Sequence, residues 1–389
     1  MKIFYSSLKL LLFYVLDSFV KIVPRKEHCE GVLLVRVDAI GDFVIWLDSA
    51  KEYRRLYPGE KITLCLNSVL LELAQSLPYW DQLLPVHMEK FGKNPWYRIR
   101  ILIEIRRRQF KIAIQPTFSR SFFLGDAIVR ASAATLRVGF IGDNTNVRSF
   151  AKRISDKWYS KLVPAVRETL MELERNAEFV RNLSGLPFTA SLPTLPARSV
   201  VRSRFDVSRP YFVVFPGAAW NGRRWPIAQF VEVIAELHRK FGWHVVVCGG
   251  VADQSSCQRL ADQYSGIATN LAGKTSLLDL TELLRNSMLL ISNETSAVHL
   301  ATAVSTPSVC ILGGGHFGRF MPYPESVGGL KPLFAAYKMP CYHCNWQCSQ
   351  PHQPGTAVPC VSGVTVANVL HKVSLIAFDS RKRVANLLD

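Results

Sequence analysis

A single aspartate lies where an apolar run gives way to a predicted helix. Residues 31–37 (GVLLVRV) are typical of a buried parallel strand, and a short loop then leads into a helix expected from Phe43 to Tyr57. Asp42 follows Gly41 at this junction, so its carboxylate is a candidate general base for an attacking hydroxyl. Ordinary N-capping explains the same aspartate, and on the residues alone capping is the favoured interpretation.

Two arginines follow a second strand-like run, in the segment FPGAAWNGRRWP. Gly217 allows a tight turn after the strand, and Arg223 and Arg224 stand just before the helix that Pro226 opens. Arginine forks onto phosphate oxygens, and free amides at a helix start add further donors. The alternative is a pair of solvated surface arginines. The neighbouring glycine, tryptophan and proline favour phosphate binding.

A third polar cluster ends one strand and opens the next helix. Glu294, Thr295 and Ser296 follow the apolar run 288–292, and His299 lies about one turn further on. Hydroxyls and free amides at a helix N-terminus form an anion site. For each residue alone, ordinary capping or a buried structural histidine is an equal explanation. The arginine cluster and this one end two strands of one domain, and together they predict a site that clasps a diphosphate.

Apolar runs and helix-like stretches alternate through both halves of the chain, which is the pattern of βα units in an open parallel sheet. The runs predicted to be strands are 31–37, 62–66, 111–115, 211–215, 244–248, 270–274 (with a turn), 288–292 and 308–312. Two such halves predict two domains, with ligands bound at the carboxyl ends of the strands.

The expected order of segments is a surface helix, two domains with a linker between them, and a final helix. Their ranges are 1–24 for the surface helix, 25–190 for the first domain, 191–210 for the Pro- and Ser-rich linker, 211–370 for the second domain and 371–389 for the final helix.

The charge balance predicts anionic partners. The 389 residues are 49% hydrophobic, which excludes a disordered or fibrous chain, and their formal net charge is +17. Nucleic acid, an acidic membrane surface and phosphorylated substrates all fit this charge. No nucleic-acid recognition motif is present, so a nucleic-acid partner is not expected. Two basic stretches, 98–111 and 148–161, stand out.

The apolar stretch near the N-terminus is too short to span a bilayer. An amphipathic helix lying on a membrane, with Lys2, Lys9 and Lys21 near the headgroups, is one interpretation. A helix packed on the protein itself is the other, and neither is preferred. The scattered cysteines do not form a secreted disulfide framework, so the chain is expected to be cytoplasmic.

A separate group of cysteines stands near the C-terminus, in the loop 341–360: Cys341, Cys344, Cys348 and Cys360. Structural zinc prefers paired C-x2-C spacings, and within this group Cys341 and Cys344 alone have that spacing. His343 and His352 are further candidate ligands. A reduced cluster that stabilises the loop is favoured over a metal site.

The three polar clusters, in this order, resemble the motifs of glycosyltransferase family 9, the heptosyltransferases. They read Val35-Arg36…Gly41-Asp42, then Pro216-Gly217…Arg223-Arg224-Trp225-Pro226, then Glu294-Thr295-Ser296-Ala297-Val298-His299-Leu300-Ala301. The connecting segments Gly249–Asp253 and Leu271–Ser276 also resemble the family's. The resemblance extends over residues 31 to 315, and the combination is specific although each motif alone is not.

The resemblance implies an α/β protein of the GT-B fold, with two Rossmann-like doubly wound domains facing across a cleft. The first would bind the acceptor and the second the nucleotide-sugar donor. Asp42 matches the family's general base. The positions that match the donor's phosphate site are Gly217, Arg223, Arg224, Thr295, Ser296 and His299, and those assigned to the nucleotide are Asp253, Gly273, Lys274 and Glu294.

The implied reaction is inverting sugar transfer that needs neither a metal nor a cofactor. Its donor would be a nucleotide sugar such as ADP-heptose, and its acceptor a phosphorylated glycolipid such as the lipopolysaccharide core. Such an enzyme would lie on the inner face of the cytoplasmic membrane, as a peripheral protein on an anionic surface.

Three residues depart from the family pattern. Glu294 replaces an aspartate, Ser296 a glycine and Arg223 a lysine. The first two motivate an alternative, a non-catalytic nucleotide-sugar-binding protein of the same fold. The retained Asp42 speaks against that alternative.

Overall fold

The structure is a computed structural model that describes residues 12–24, 29–197, 205, 207 and 210–377. The chain divides into two compact units. The first comprises Met1–Glu168 and Glu174–Ala190, and the second comprises Thr169–Leu173 and Ser191–Asp389. Among the described helices, none combines the length and the apolar character that crossing a bilayer requires.

The first unit is built on a six-stranded sheet in the order β3-β2-β1-β4-β5-β6, in which all neighbours are parallel. The strands are β1 (Val32–Arg36), β2 (Ile62–Asn67), β3 (Gln82–Val86), β4 (Ile112–Gln115), β5 (Leu136–Phe140) and β6 (Lys161–Val163). In the register, Val32 pairs with Ile62 on one side and Ile112 on the other. Every residue of β1 is buried, as expected for a central strand covered on both faces.

Helices cover this sheet. They are α1 (residues 12–19), α2 (Ile40–Leu56), α3 (Leu71–Gln75), α4 (Met88–Lys93), α5 (Pro95–Arg108), α6 (Gly125–Ser132), α7 (Ser149–Asp156) and α8 (Glu172–Ser184). The first two residues of α8 fall within the second unit. Trp46 of α2 stacks on Trp80 with ring centroids 6.3 Å apart, which fills the space between α2 and the sheet edge.

The second unit repeats the same plan. Its sheet has the order β12-β11-β10-β7-β8-β9, again wholly parallel. The strands are β7 (Tyr211–Phe215), β8 (His244–Val247), β9 (Ala268–Asn270), β10 (Leu290–Asn293), β11 (Ser308–Leu312) and β12 (Leu333–Ala336). The helices are α9 (Ile227–Phe241), α10 (Gln254–Asp262), α11 (Leu277–Arg285), α12 (Ser296–Ala303), α13 (Pro359–Ser362) and α14 (Val366–Ser374).

Both sheets have the strand order of a doubly wound Rossmann domain, with three strands running outward on each side of a central reversal. The predicted α/β class and the two Rossmann-like domains are therefore confirmed. The strands that the sequence pattern missed are β3, β5, β6 and β12. Three of these are sheet edges, where burial is partial and the apolar run is short or interrupted.

Two predicted helix boundaries and one predicted linker need correction. The helix expected from Phe43 begins at Ile40, which places Asp42 in its first turn. The final helix expected over 371–389 begins at Val366 and ends at Ser374, and residues 378–389 lie outside the described residues.

The third correction concerns the start of the predicted linker, which packs on the second unit. Leu195 donates its N–H to the Ala303 carbonyl, and Arg285 donates to the carbonyls of Leu195 and Pro196.

The N-terminal segment packs on the first unit in its described part. Phe13, Asp17 and Val20 are buried, and Asp17 accepts two hydrogen bonds, at 2.7 and 2.6 Å, from the fully buried Arg98 of α5. Arg98 also donates to the Phe123 carbonyl at 2.7 Å. Residues 1–11 of the predicted surface helix lie outside the described residues.

We expect Asp17→Ala to lower the free energy of unfolding by about 3 kcal/mol, because it leaves the Arg98 guanidinium buried without its counter-charge. Urea unfolding followed by tryptophan fluorescence measures this. Glu89→Ala is the matched control, since it breaks the exposed Glu89–Lys93 pair and should leave the unfolding midpoint unchanged. Equal midpoints for the two variants would show that the buried pair does not anchor the segment.

Candidate active site

The carboxyl end of β1 carries two aspartates with different surroundings. Ala39 is the N-cap of α2, so the N-capping interpretation of Asp42 is wrong. Arg36 donates to the backbone carbonyl of Asp42 at 3.0 Å, and its Nε lies 3.0 Å from Asp38 Oδ2. Thr117 also donates to Asp38 Oδ2, at 2.9 Å. The Asp38 carboxylate is thereby held by a cation and a hydroxyl, while Arg36 fixes the backbone of the turn that presents Asp42.

These aspartates lie at the point where the strand order of the first sheet reverses. Asp38 follows β1 and Thr117 follows β4, and these two strands are the neighbours from which the chain winds outward in opposite directions. In open α/β sheets, ligands bind at the carboxyl end of this reversal. The fold therefore puts Asp42 where a ligand of the first unit is expected.

The reversal in the second sheet lies between β7 and β10, and one buried amide joins the loops that follow them. Asn293 donates to the carbonyls of Pro216 and Gly217, at 2.7 and 3.4 Å. Its Oδ1 accepts the backbone N–H of Trp225 at 3.0 Å. The arginine cluster and the Glu294 cluster are thus brought together, as their positions at two strand ends predict.

Arg223 ends a short 3-10 helix, Asn221–Arg223, and reaches across to the end of β10. Its Nη2 donates to the Glu294 carbonyl at 2.6 Å and lies 3.7 Å from Glu294 Oε2. The guanidinium carbon is 4.9 Å from the centroid of the Trp346 ring. Two contacts of different kinds thus fix its orientation. Its Nε is buried without a hydrogen-bond partner among the described residues, while the side chain as a whole is 22% exposed. The exposed part of the guanidinium is the part that a ligand can contact.

Arg224 has a different set of contacts. It lies 2.8 Å from Asp253 Oδ1 and donates to the Ala218 carbonyl, while Asp253 accepts the N–H of Gly250 at 3.0 Å. A Cβ at Gly217 would overlap the Asp253 carboxylate, which explains the glycine. Arg224 and Asp253 therefore join the loop after β7 to the loop after β8.

Glu294 is 4% exposed, and among the described residues its carboxylate oxygens have no hydrogen-bond partner. Burial raises its pKa to about 7, and the Arg223 charge opposes that rise. Thr295 is the N-cap of α12: its Oγ1 accepts the N–H of Ala297 at 3.3 Å and lies 3.1 Å from Ser292 Oγ. Thr295 thus combines ordinary capping with a position at an anion-binding helix start.

His299 is buried on α12, and its Nδ1 lies 3.0 Å from the Tyr323 hydroxyl. Burial, with the Arg223 charge second, lowers its pKa to about 3. The ring is therefore neutral near pH 7 and brings no positive charge to a diphosphate.

Gly273 and Lys274 belong to the loop after β9. Gly273 has φ +69°, and a Cβ there would overlap the Gln254 side chain. Lys274 donates to the Asn270 carbonyl at 2.9 Å. Because β8 separates β9 from β7, this loop starts about 10 Å to the side of the arginine loop. The structure does not bring these two residues into contact with Arg223.

The cysteine loop packs under the same site. Cys341, Cys344, Cys348 and Cys360 line one small cavity together with Trp346. In the described part of the chain, no group of three or more His, Cys, Asp or Glu residues is placed to hold a metal ion. A Cβ at Gly313 or Gly315 would overlap the Trp346 ring, so these glycines let the loop approach the end of β11.

The family model for glycosyltransferase family 9 (heptosyltransferase) matches residues 98–349, which is more than half of the chain. The chain belongs to glycosyltransferase family 9. The predicted family and the predicted glycosyltransferase activity are therefore confirmed. Over 315 residues the enzyme is 23% identical to lipopolysaccharide heptosyltransferase 1 of Pseudomonas aeruginosa, with 80% of this chain aligned to 85% of that protein.

Solved structures agree with this assignment at the level of the fold. The E. coli ADP-heptose lps heptosyltransferase II superposes with a TM-score of 0.65 at 16% identity, over 88% of this chain and 97% of that one. The iron-containing dodecameric glycosyltransferase TibC of enterotoxigenic E. coli H10407 superposes with a TM-score of 0.52 at 17% identity, over 93% and 78%. The GT-B fold predicted for this glycosyltransferase is thereby confirmed.

Sequence reasoning assigned no role to three residues that organise the candidate site: Arg36, Asn293 and Trp346. Arg36 and Asn293 are polar residues inside apolar strand runs. Because a buried polar side chain needs a hydrogen-bond partner, a polar residue in such a run indicates a tertiary contact. Trp346 gave no such signal. It lies in a cysteine-rich loop where His343, Asn345 and Trp346 itself have positive φ angles, a conformation that no periodicity encodes.

We expect Glu294→Gln to change the pH dependence of stability. The folded-state pKa of Glu294 lies above its ordinary value of 4.5, so the folded chain holds an extra proton between pH 4.5 and about 7. Stability from this group is therefore lost as the pH rises through that window. Urea unfolding at pH 5 and pH 8 measures this. Between these pH values the free energy of unfolding of the parent should fall by about 2–3 kcal/mol, and that of Glu294→Gln should not.

Glu236→Gln, at an exposed glutamate of α9, is the matched control and should follow the parent at both pH values. If Glu294→Gln also ran parallel to the parent, the carboxylate would be titrating as in water and its burial would carry no cost.

Proposed function

We propose that this enzyme transfers a heptose from ADP-heptose to a phosphorylated glycolipid of the lipopolysaccharide core, with inversion and without a metal ion. Two similar proteins support the substrates: the Pseudomonas aeruginosa relative is a lipopolysaccharide heptosyltransferase, and the E. coli structure is an ADP-heptose lps heptosyltransferase. The observation that carries the proposal is the position of Arg223, which is fixed beside the start of α12 and keeps part of its side chain exposed.

The donor's diphosphate would lie between Arg223 and the first turn of α12. The helix start supplies backbone N–H groups and the positive end of its dipole, and Arg223 supplies a charged fork. Negative charge grows on the diphosphate as the sugar leaves, so donors already in place stabilise the transition state more than the ground state. In metal-dependent transferases a divalent cation stabilises the negative charge of the leaving diphosphate. Here the fixed donors would stabilise that charge. Arg224, paired with Asp253, would support the loop rather than bind phosphate itself.

Asp42 would act as the general base. Its carboxylate takes the proton of the acceptor hydroxyl while that oxygen forms a bond to the anomeric carbon. The bond from the anomeric carbon to the diphosphate breaks in the same displacement, and ADP leaves with its electron pair. A single displacement inverts the configuration at that carbon. The Asp38 carboxylate contacts Arg36 and Thr117, and Asp42 is the aspartate that matches the family's general base.

The acceptor would be lipid-linked, and the enzyme would meet it as a peripheral protein on the cytoplasmic face of the inner membrane. The net charge of +17 suits both a phosphorylated acceptor and an anionic bilayer. A cysteine pattern without a disulfide framework suits a reducing compartment.

We expect Asp42→Asn to reduce kcat by about 100-fold or more while leaving ADP binding unchanged, because the amide cannot accept the proton. Transfer from ADP-heptose to a purified core acceptor gives kcat, and calorimetry gives ADP affinity. Asp38→Asn is the matched control at the same strand end and should keep most of the turnover. Loss of turnover in Asp38→Asn with retention in Asp42→Asn would move the base to Asp38.

We expect Arg223→Ala to abolish the rise in melting temperature that ADP gives the parent, and to lower kcat/KM by about 100-fold or more. Arg259→Ala, an exposed arginine on α10 of the same unit, is the matched control and should keep the full ADP shift. An undiminished shift in Arg223→Ala would place the diphosphate elsewhere.

A further inference from the structure

The N-terminal segment of the first unit exposes a continuous apolar face. Leu12, Val15, Phe19 and Ile22 are 51%, 46%, 56% and 75% exposed. Their spacing of three and four residues puts them on one side of the helical segment. The opposite side is the one that packs on the unit through Phe13 and the Asp17–Arg98 pair. The segment is therefore held by one face while the other presents large apolar side chains to solvent.

The neighbouring helix α5 has an exposed face of its own. Trp96 is 82% exposed, the highest value among the exposed large hydrophobic residues of the described chain. Arg100 and Arg107 are exposed at four and eleven positions after it, which puts all three on one side of α5. The two segments lie side by side, because Arg98 binds Asp17 and Arg106 donates to the Val23 carbonyl at 2.6 Å.

The charges around these apolar residues are of one sign. Lys21 is exposed on the N-terminal segment, and Arg100 and Arg107 are exposed on α5. Of the acidic residues on the two elements, Asp17 is buried against Arg98 and Glu104 pairs with Arg108. Exposed apolar side chains, a tryptophan and cations without an acidic partner among the described residues, carried on two adjacent segments, are the composition of an interfacial membrane anchor.

We propose that these two faces form a docking surface for a bilayer of anionic phospholipids. We call it the α1–α5 surface: Leu12, Val15, Phe19, Ile22, Trp96, Lys21, Arg100 and Arg107. The apolar side chains enter the boundary between headgroups and acyl chains, and the cations bind lipid phosphates. This inference rests on the proposed function in one respect, since a lipid-linked acceptor gives the enzyme reason to reach a membrane. It uses none of the candidate active-site residues.

Vesicle sedimentation with the full-length chain tests the surface. The parent should bind vesicles of phosphatidylcholine with about 30% phosphatidylglycerol, should bind pure phosphatidylcholine far more weakly, and should lose affinity as salt is raised. Phe19→Ser/Ile22→Ser should weaken binding to the anionic vesicles by roughly tenfold or more, since two large apolar groups no longer leave water. Leu186→Ser, an equally exposed apolar residue elsewhere on the first unit, should bind like the parent.

A matched pair of double variants tests the contribution of the charged residues of the α1–α5 surface. Arg100→Gln/Arg107→Gln should weaken binding and flatten its salt dependence. Arg55→Gln/Arg239→Gln removes the same charge from other exposed positions and should change binding much less. Equal losses in the two double variants would overturn the surface in favour of non-specific attraction by the net charge. Parent-like binding by Phe19→Ser/Ile22→Ser would also overturn it.

Two further measurements separate this proposal from its rivals. Sedimentation equilibrium tests for a second copy of the chain as the occupant: a parent dimer that Phe19→Ser/Ile22→Ser makes monomeric would overturn the membrane assignment. Turnover on a delipidated, water-soluble core acceptor tests the proposed function separately. The docking variants should keep parent turnover there, whereas a failure of the parent on every acceptor would count against the sugar-transfer proposal alone.

Discussion

The end of β10 imposes the constraint on which the candidate donor site depends. Two consecutive buried polar side chains, Asn293 and Glu294, close this strand, and both need partners from elsewhere in the unit. Asn293 finds its partners in the loop after β7, at Pro216, Gly217 and Trp225. Glu294 has Arg223 beside it. The arginine loop is thus held at the end of β10 by the hydrogen bonds of Asn293 and by the bond from Arg223 to the Glu294 carbonyl.

The same constraint explains two departures from the family pattern together. The resemblance leads one to expect a lysine at position 223 and an aspartate at position 294, and this chain has a longer, forked cation and a longer acid. The structure shows that these two residues contact each other, through the Glu294 backbone carbonyl and more distantly through its carboxylate. A planar guanidinium can keep that contact and a stacking contact with Trp346 at once, which an ammonium group does less well. The two changed residues therefore lie in contact, and the site keeps a cation.

The sequence predicted the central parts of both sheets because burial on both faces leaves a continuous apolar record. β7 and β11 were predicted over 211–215 and 308–312 and have those bounds, and β1 and β10 were found to within two residues. The edge strands β3, β6 and β12 have a weaker apolar pattern in the sequence, since one side of each has no neighbouring strand. Motif spacing correctly brought the arginine and Glu294 clusters together. It could not reveal that Arg224 is occupied by Asp253 or that His299 is buried and neutral, because tertiary contacts decide both.

The buried Asp17–Arg98 pair explains how an apolar face can be left in water on a folded domain. Hydrophobicity alone would favour the opposite orientation of the segment, with its exposed apolar side chains buried: Leu12, Val15, Phe19 and Ile22. Turning it over would expose Phe13 and would also leave Arg98, fully buried in α5, without its carboxylate. Leaving a buried charge unpaired costs more than most single apolar contacts return. The ion pair therefore specifies which face of the segment points outward, and it keeps the α1–α5 surface available for a partner that replaces water.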